Sequence, residues 1–311
     1  MNIIFMGTPA YAVPTLKMLH ETYGVKLVVT QPDKKVGRAG LVEYSKVKQF
    51  ALEHNIPLIQ PIKMRQDYQP ILDIKPDIIV TAAYGQMIPK VVLDAGISVN
   101  LHGSILPKYR GGAPVQYAIR NGETETGVTL MYMAPKMDSG DIIDVKKVEI
   151  LKTDTTDTLM EKLSFVARDL LKETLPLILD QKANRVVQDE SQVTFAYNLK
   201  PEDEILDFNQ TVDQIDCHLR SLLSQPGGSI FVNKTRIKVY EIAKSDIIMD
   251  GVPGEILSDK KRFYVKAKDG VIELLKIQPE NKKVMLARDF LNGQKLFIKG
   301  DIVNYEEKSI I

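Results

Sequence analysis

Three polar residues, Asn100, His102 and Asp138, carry the chemistry that this sequence could perform. Residues Ile97 to His102 alternate apolar and polar side chains, which predicts a short strand. Side chains alternate along a strand, so Asn100 and His102 leave on one side and Leu101 on the other. An amide and an imidazole side by side can donate to an oxyanion as it forms. A carboxylate at Asp138, in the turn from Lys136 to Asp141, can orient or charge the imidazole and manage protons. Such a set suits acyl transfer to an external nucleophile. Taken as residue types alone, Asn100 and His102 could equally serve to satisfy buried backbone groups at a strand end.

Other chemistries fit less well. A lone histidine with one or two carboxylates lacks the usual zinc ligand set, so no metal is expected. Ser104 lies two residues beyond the histidine on a turn, too near to act as a triad nucleophile. An attacking amine must be unprotonated, and the α-amino reference pKa is only about 7.7–8.0, so a modest push from a carboxylate suffices. The residues therefore point to an acyl or one-carbon transferase.

The elements that must position this trio belong to an α/β domain. Asn2 to Met6 is a compact apolar run, and Gly7-Thr8-Pro9 turns it into a helix, the opening of a nucleotide-type domain. The pattern G-x-G-x-x-G is missing, so no NAD is expected. Further buried strands are predicted at 25–30, 57–60 and 77–81, and a long polar loop at 31–40. Ser45 is placed to cap a helix reaching about His54. Because ligands of open parallel sheets sit beyond the carboxyl ends of the strands, the loop at 82–89 should face the same crevice as Asn100 and His102. Lys108 and Arg110 follow in a Gly- and Pro-rich loop. Strands are expected at 127–133 and 142–150, then a long amphipathic helix from about Thr153 to Asp180.

Residues 1–180 are thus read as the catalytic domain, and 181–204, polar and aperiodic, as a linker. Residues 205–311 have a different texture. A helix is expected near 212–223, then short strands at 229–232, 237–242, 254–257, 263–267 and 271–277, which suggests an OB-like β-barrel. Alternation puts the cations Arg236 and Lys238 on one face, as a surface that tracks a nucleic-acid backbone requires. A solvated strand face would look the same.

The 311 residues are 44% hydrophobic and 26% charged, with net charge +1. Near-neutrality excludes bulk electrostatic attraction to nucleic acid but not a local basic patch. A single cysteine, Cys217, excludes an internal disulfide and a multi-thiolate zinc site. No uncharged apolar run approaches the roughly 20 residues needed to span a bilayer. A soluble cytoplasmic protein with no membrane partner is expected.

The run V-N-L-H-G-S-I-L-P-K-Y-R-G-G-A-P-V-Q, with G-E-T-E-T-G-V-T-L and M-D-S-G-D-I downstream, resembles the folate-dependent formyltransferases. The opening I-I-F-M-G-T-P, the segment V-V-T-Q-P-D-K-K-V-G-R and the C-terminal barrel resemble the branch of that family that formylates methionyl-tRNA, and the likeness covers nearly the whole chain. It implies a Rossmann-like formyltransferase domain joined to an OB-like domain. It also implies transfer of a formyl group from 10-formyltetrahydrofolate, as co-substrate, to the α-amino group of methionyl-initiator tRNA, by a monomer. Asn100, His102 and Asp138 match the catalytic trio of the family. Ser104, Ile105, Leu106 and Pro107 match its folate-contacting segment. The pterin is expected near Tyr84, Gly85, Gln86, Met87, Ile88 and Pro89. The loop with Lys34, Lys35 and Arg38 matches the insertion that probes the acceptor end of the tRNA. Arg236 and Lys238 lie in the domain that contacts its outer side. The chain departs from many members by a shorter segment between Pro89 and Ile97 and by having no tryptophan where Leu222 to Gly228 stands. The alternatives are a relative acting on an amino-sugar nucleotide, a non-catalytic RNA-binding protein, and hydrolysis of the formyl-folate by water.

Overall fold

The computed structural model describes residues 1–36, 41–258, 261–293 and 296–304. The chain divides into two compact units: Met1–Val115 with Thr124–Ile150 and Thr158–Asn198, and Gln116–Glu123 with Leu151–Asp157 and Leu199–Ile311.

The first unit opens with β1 (Ile3–Gly7), α1 (Val13–Tyr23) and β2 (Leu27–Val29). A Cβ at Gly7 would stand 2.8 Å from the Cβ of Ala12 and 2.9 Å from the carbonyl of Ala82, so only glycine allows this close strand-to-helix turn. Next come β3 (Lys34–Val36), β4 (Leu41–Glu43), α2 (Lys46–Glu53), β5 (Leu58–Ile59), α3 (Gln69–Ile74), β6 (Ile78–Ala82), α4 (Lys90–Leu93) and β7 (Ile97–His102). The expected Ser45 cap is present, its hydroxyl accepting from the Lys48 N–H at 3.0 Å. The polar stretch 31–40, expected as a loop throughout, instead contributes β3 to an antiparallel pairing with β4, Lys34 opposite Glu43. After α5 (Pro114–Arg120) come β8 (Glu125–Tyr132), β9 (Ile142–Glu149) and α6 (Thr156–Leu179).

Seven strands form one sheet in the order β5-β2-β1-β6-β7-β8-β9. Pairing is parallel from β5 to β7 and antiparallel for β8 and β9. The central strands are buried on both faces, which explains their unbroken apolar runs. On one face Ile4, Met6, Val29 and Ile79 pack with Ile71 of α3 and Val92 of α4. Part of the stretch expected to be linker is bonded into this unit. Val186 bridges Ile142, and Phe195 lies parallel to Arg110 with Ala196 N–H donating to the Arg110 carbonyl at 2.8 Å.

The second unit contains α7 (Val212–Ser221), β10 (Gly228–Val232), β11 (Thr235–Ser245), β12 (Phe263–Lys266), β13 (Val271–Pro279), β14 (Met285–Leu286) and α8 (Ala287–Leu291). Its antiparallel sheet runs β10-β11-β13-β12, with β14 paired to β13, and has the form of a half-barrel. The strand expected at 254–257 is reduced to two isolated bridges, Glu255–Ile302 and Ile256–Val265, and the fifth strand is β14. Alternation sets the core: Ile237 and Val239 are buried and pack with Phe208, Leu219, Phe263 and Ile277. Arg236 and Lys238 take the intervening positions.

Candidate active site

Strand β7 stands where the sheet changes from parallel to antiparallel. Asn100 pairs with Thr81 of β6 on one side and with Met131 of β8 on the other, and His102 pairs with Thr129. Both side chains are nearly buried, at 9% and 5% exposure. The Asn100 amide has no hydrogen-bond partner among the described residues, so its donors are uncommitted at the carboxyl end of the sheet. A ligand that accepts from this amide therefore displaces no protein partner.

The imidazole is held from both ends. His102 Nε2 lies 2.9 Å from the carbonyl oxygen of Tyr109. A carbonyl can only accept, so Nε2 carries the proton and Nδ1 is the other, variable position. Nδ1 stands 3.7 Å from Oδ2 of Asp138, within ion-pair range once the ring is protonated. The Gly111 N–H donates to the same Oδ2 at 2.9 Å. Oδ1 has no hydrogen-bond partner among the described residues. The structure therefore brings Asp138 to His102, with one carboxylate oxygen anchored and the other available. Asp138 adopts φ of +47°, which a non-glycine residue adopts at a cost.

Arg110, read from sequence as a loop cation, is fully buried. Its Nε and Nη2 donate to Gln188 Oε1 at 3.0 and 2.8 Å, and Nη2 also donates to Glu190 Oε1 at 2.8 Å. Its guanidinium holds the Glu190 carboxyl below the usual range. The Gln188 amide donates in turn to the carbonyls of Asp138 and Gly140, at 2.9 and 2.8 Å. Gln188 and Glu190 escaped the sequence reading because they lie in an aperiodic polar stretch about which local pattern says nothing.

Ser104 is buried, and its hydroxyl donates to the Lys108 carbonyl at 2.6 Å. Its own carbonyl accepts from the Thr129 hydroxyl at 2.6 Å, and that hydroxyl accepts from Leu106 N–H at 3.1 Å. Thr129 thus shapes the turn after β7. Leu106 is buried, while Ile105 and Pro107 are half-buried.

The loop after β6 divides into anchors and surface. Tyr84 and Ile88 are buried in the sheet-face cluster. The Gln86 side chain accepts from Met64 N–H at 2.9 Å and donates to the Pro61 carbonyl at 2.9 Å, so it fixes the loop. Gly85 turns the chain at φ +91°, and Met87 is exposed. Pro89 caps α4.

The Tyr84 hydroxyl is buried with no partner, and burial pushes its pKa up to about 12. The unfolded chain ionises near 10, so this tyrosine's contribution is complete below pH 10. Stability then falls between about pH 10 and 12, by about 1.4 kcal/mol per pH unit. Tyr84→Phe is expected to flatten that alkaline decline and to raise stability at pH 7 by about 1 kcal/mol, since it removes an unbonded buried hydroxyl. Urea unfolding across pH 7–12 measures both effects.

Lys34 is exposed on β3. Arg38 and the side chain of Lys35 lie outside the described residues. Arg236 donates to the Ser229 hydroxyl through Nε and Nη2, at 3.0 and 2.8 Å, and pairs with Glu204. Lys238 Nζ donates to the Pro226 carbonyl at 2.6 Å. Both cations are thus engaged within their own unit. Among the described residues no three His, Cys, Asp or Glu side chains stand close enough to share a metal ion. No helix among them is long and apolar enough to cross a membrane.

Comparison with known proteins agrees with this architecture. A family model described as Formyl transferase matches residues 1–175, and one described as Formyl transferase, C-terminal domain, matches residues 198–295. A methionyl-tRNA formyltransferase of Latilactobacillus sakei is 44% identical over 94% of this chain and 94% of its own. Another, of Lysinibacillus sphaericus, is 45% identical over 94% and 96%. Among solved structures, an N-formyltransferase of Helicobacter canadensis, determined with folinic acid and dTDP-3-aminofucose, superposes with a TM-score of 0.69. It covers 90% of this chain and 99% of its own, but at 20% identity it speaks for the fold alone. With both domain types matched in series and relatives this similar along nearly the full length, the chain belongs to the methionyl-tRNA formyltransferase family of folate-dependent formyltransferases.

Proposed function

We infer that this protein transfers the formyl group of 10-formyltetrahydrofolate to the α-amino group of methionine esterified to initiator tRNA, acting as a cytoplasmic monomer. The observation that carries the mechanism is the meeting of Asp138 and His102 at 3.7 Å beside the uncommitted Asn100 amide. The amine attacks the formyl carbon, the carbonyl electrons move onto oxygen, and the Asn100 N–H stabilises the resulting oxyanion. Each such donor is typically worth about 10²–10³ in rate. Nε2 of His102 is committed to the Tyr109 carbonyl. The second donor to the oxyanion is therefore Nδ1–H, present when the ring is protonated beside Asp138. Oδ1 of Asp138 takes the proton that the amine loses on attack and delivers it to the departing folate nitrogen as the carbon–nitrogen bond breaks.

The folate is read onto the turn at Ser104 to Pro107 and the loop at Tyr84 to Pro89. Half-buried Ile105 and Pro107 and exposed Met87 offer apolar surface to a flat ring, while Tyr84, Gln86 and Ile88 hold the loop from beneath. The acceptor end of the tRNA is read onto the segment with Lys34, Lys35 and Arg38, and its outer side onto the half-barrel with Arg236 and Lys238. Their internal bonds suit them to hold the surface in shape as well as to add positive charge. The domains are read as 1–180 and 205–311, joined by the connecting stretch 181–204, of which Val186, Gln188 and Ala196 bond to the first unit.

The test is transfer by the purified protein of labelled formyl from the folate to charged initiator tRNA. Uncharged tRNA, water and an amino-sugar nucleotide serve as alternative acceptors. Label on the aminoacylated tRNA alone supports the reading, and equal label on the sugar nucleotide, or release as formate, contradicts it. Arg38→Ala is expected to weaken discrimination of initiator from elongator tRNA while the KM for folate stays the same. It should also lower the salt slope of tRNA binding by about 1. Equal loss with both tRNAs would assign the segment to general affinity.

A further inference from the structure

We propose that Gln188 is a positioning residue for the active site, its amide tying the turn that carries Asp138 to the loop that carries the backbone partner of His102; this rests on the reading of Asp138 as the catalytic carboxylate. The amide uses both of its ends. Oε1 accepts twice from the buried Arg110 guanidinium, at 3.0 and 2.8 Å. Nε2 donates twice, to the Asp138 carbonyl at 2.9 Å and to the Gly140 carbonyl at 2.8 Å. Arg110 follows directly on Tyr109, whose carbonyl accepts from His102 Nε2 at 2.9 Å. It also precedes Gly111, whose N–H holds the Asp138 carboxylate at 2.9 Å. One side chain therefore joins the two segments that set the relative placement of imidazole and carboxylate.

The chemistry of the side chain is specific to this task. A carboxylate accepts but cannot donate, and an ammonium donates but cannot accept; a side-chain amide sets an acceptor oxygen and a nitrogen with two N–H donors side by side, as these four bonds require. Gln188 is itself buried, so a lost donor leaves the Asp138 and Gly140 carbonyls without this bond. Asp138 also holds a left-handed backbone conformation, at φ +47°. Such a conformation persists when the surroundings over-determine it, and the Gln188 bond to the Asp138 carbonyl is one of those restraints.

Gln188→Glu keeps the shape and the bonds from Arg110 but removes both donors and sets a carboxylate against the two carbonyls. It is expected to lower kcat by about 10²-fold, the scale on which about an ångström of misplacement acts, with the KM values for folate and tRNA changed less than twofold. Hydrogen–deuterium exchange, read without substrates, is expected to quicken in residues 136–141 and in the joined segments at 109–111 and 186–190, with the rest of the chain unchanged. Wild-type kcat, or unchanged exchange at 136–141, overturns the proposal. A rise in exchange over the whole chain also overturns it, because it assigns Gln188 to general stability. Asp138→Asn, assayed beside it, tests the underlying reading: if that variant turns over normally, the catalytic assignment of Asp138 fails. The exchange result at 136–141 still decides whether Gln188 holds the turn.

Discussion

Asp138→Asn is expected to lower kcat by about 10²–10⁴-fold, the usual share of a positioned acid–base group, while the KM for 10-formyltetrahydrofolate stays within about twofold. The substitution isolates chemistry from structure. An asparagine oxygen can still accept from the Gly111 N–H, now at 2.9 Å from the carboxylate. Asparagine also tolerates the left-handed backbone, here at φ +47°, better than most residues. What is lost is the negative charge facing His102 Nδ1 and the basic Oδ1 that takes the proton of the amine. Steady-state kinetics with the folate varied at saturating charged tRNA separates the two parameters. A kcat within threefold of the parent would remove Asp138 from the mechanism.

Gly111→Ala is expected to lower the melting temperature by about 6–12 °C, the shift that a loss of about 3 kcal/mol produces in a unit of this size. Gly111 has φ of +129°, a conformation almost confined to glycine. A Cβ there would stand 2.4 Å from the carbonyl oxygen of Ala196, which is backbone and cannot swing aside. That carbonyl is also in use, accepting from Ala113 N–H at 3.0 Å. The loop must shift, and the N–H that anchors Asp138 shifts with it. Activity at 20 °C should therefore fall as well, through kcat. A variant that melted normally and kept full activity would show that the loop tolerates a different path.

How much of this was readable beforehand depended on the range over which each feature is determined. The strand at 97–102 and the shared side of Asn100 and His102 follow from local alternation, and the strand forms over the same residues. Helix α6 and strands β8 and β9 also follow local periodicity, with ends displaced by a few residues. The β3–β4 pairing did not show, because three-residue strands are too short to display a period. In the second unit the run at 254–257 has strand-like composition, yet it makes only isolated bridges. The sheet takes its further pairing from β14, two residues long and without a pattern of its own.

The burial of Arg110 was not legible for a different reason. Within its own Gly- and Pro-rich segment it resembles a solvated cation. Its burial depends on Gln188 and Glu190, 78 and 80 residues further along, and no local pattern links them. Asp138 lies between these extremes. Its residue type marked it as a candidate, but its approach to His102 depends on the Gly111 N–H and on the turn at Gly140. A Cβ at Gly140 would stand 1.8 Å from the Tyr132 carbonyl.

The most direct measurement is a crystal structure of this protein with a stable formyl-folate analogue and charged initiator tRNA. The mechanism requires the formyl oxygen within hydrogen-bond range of Asn100 Nδ2, with the methionyl amine about 3–3.5 Å from the formyl carbon, as a near-attack geometry demands. Oδ1 of Asp138 should face that amine. A formyl group lying on the far side of the sheet from Asn100, or an amine approached by some other carboxylate, would contradict the account.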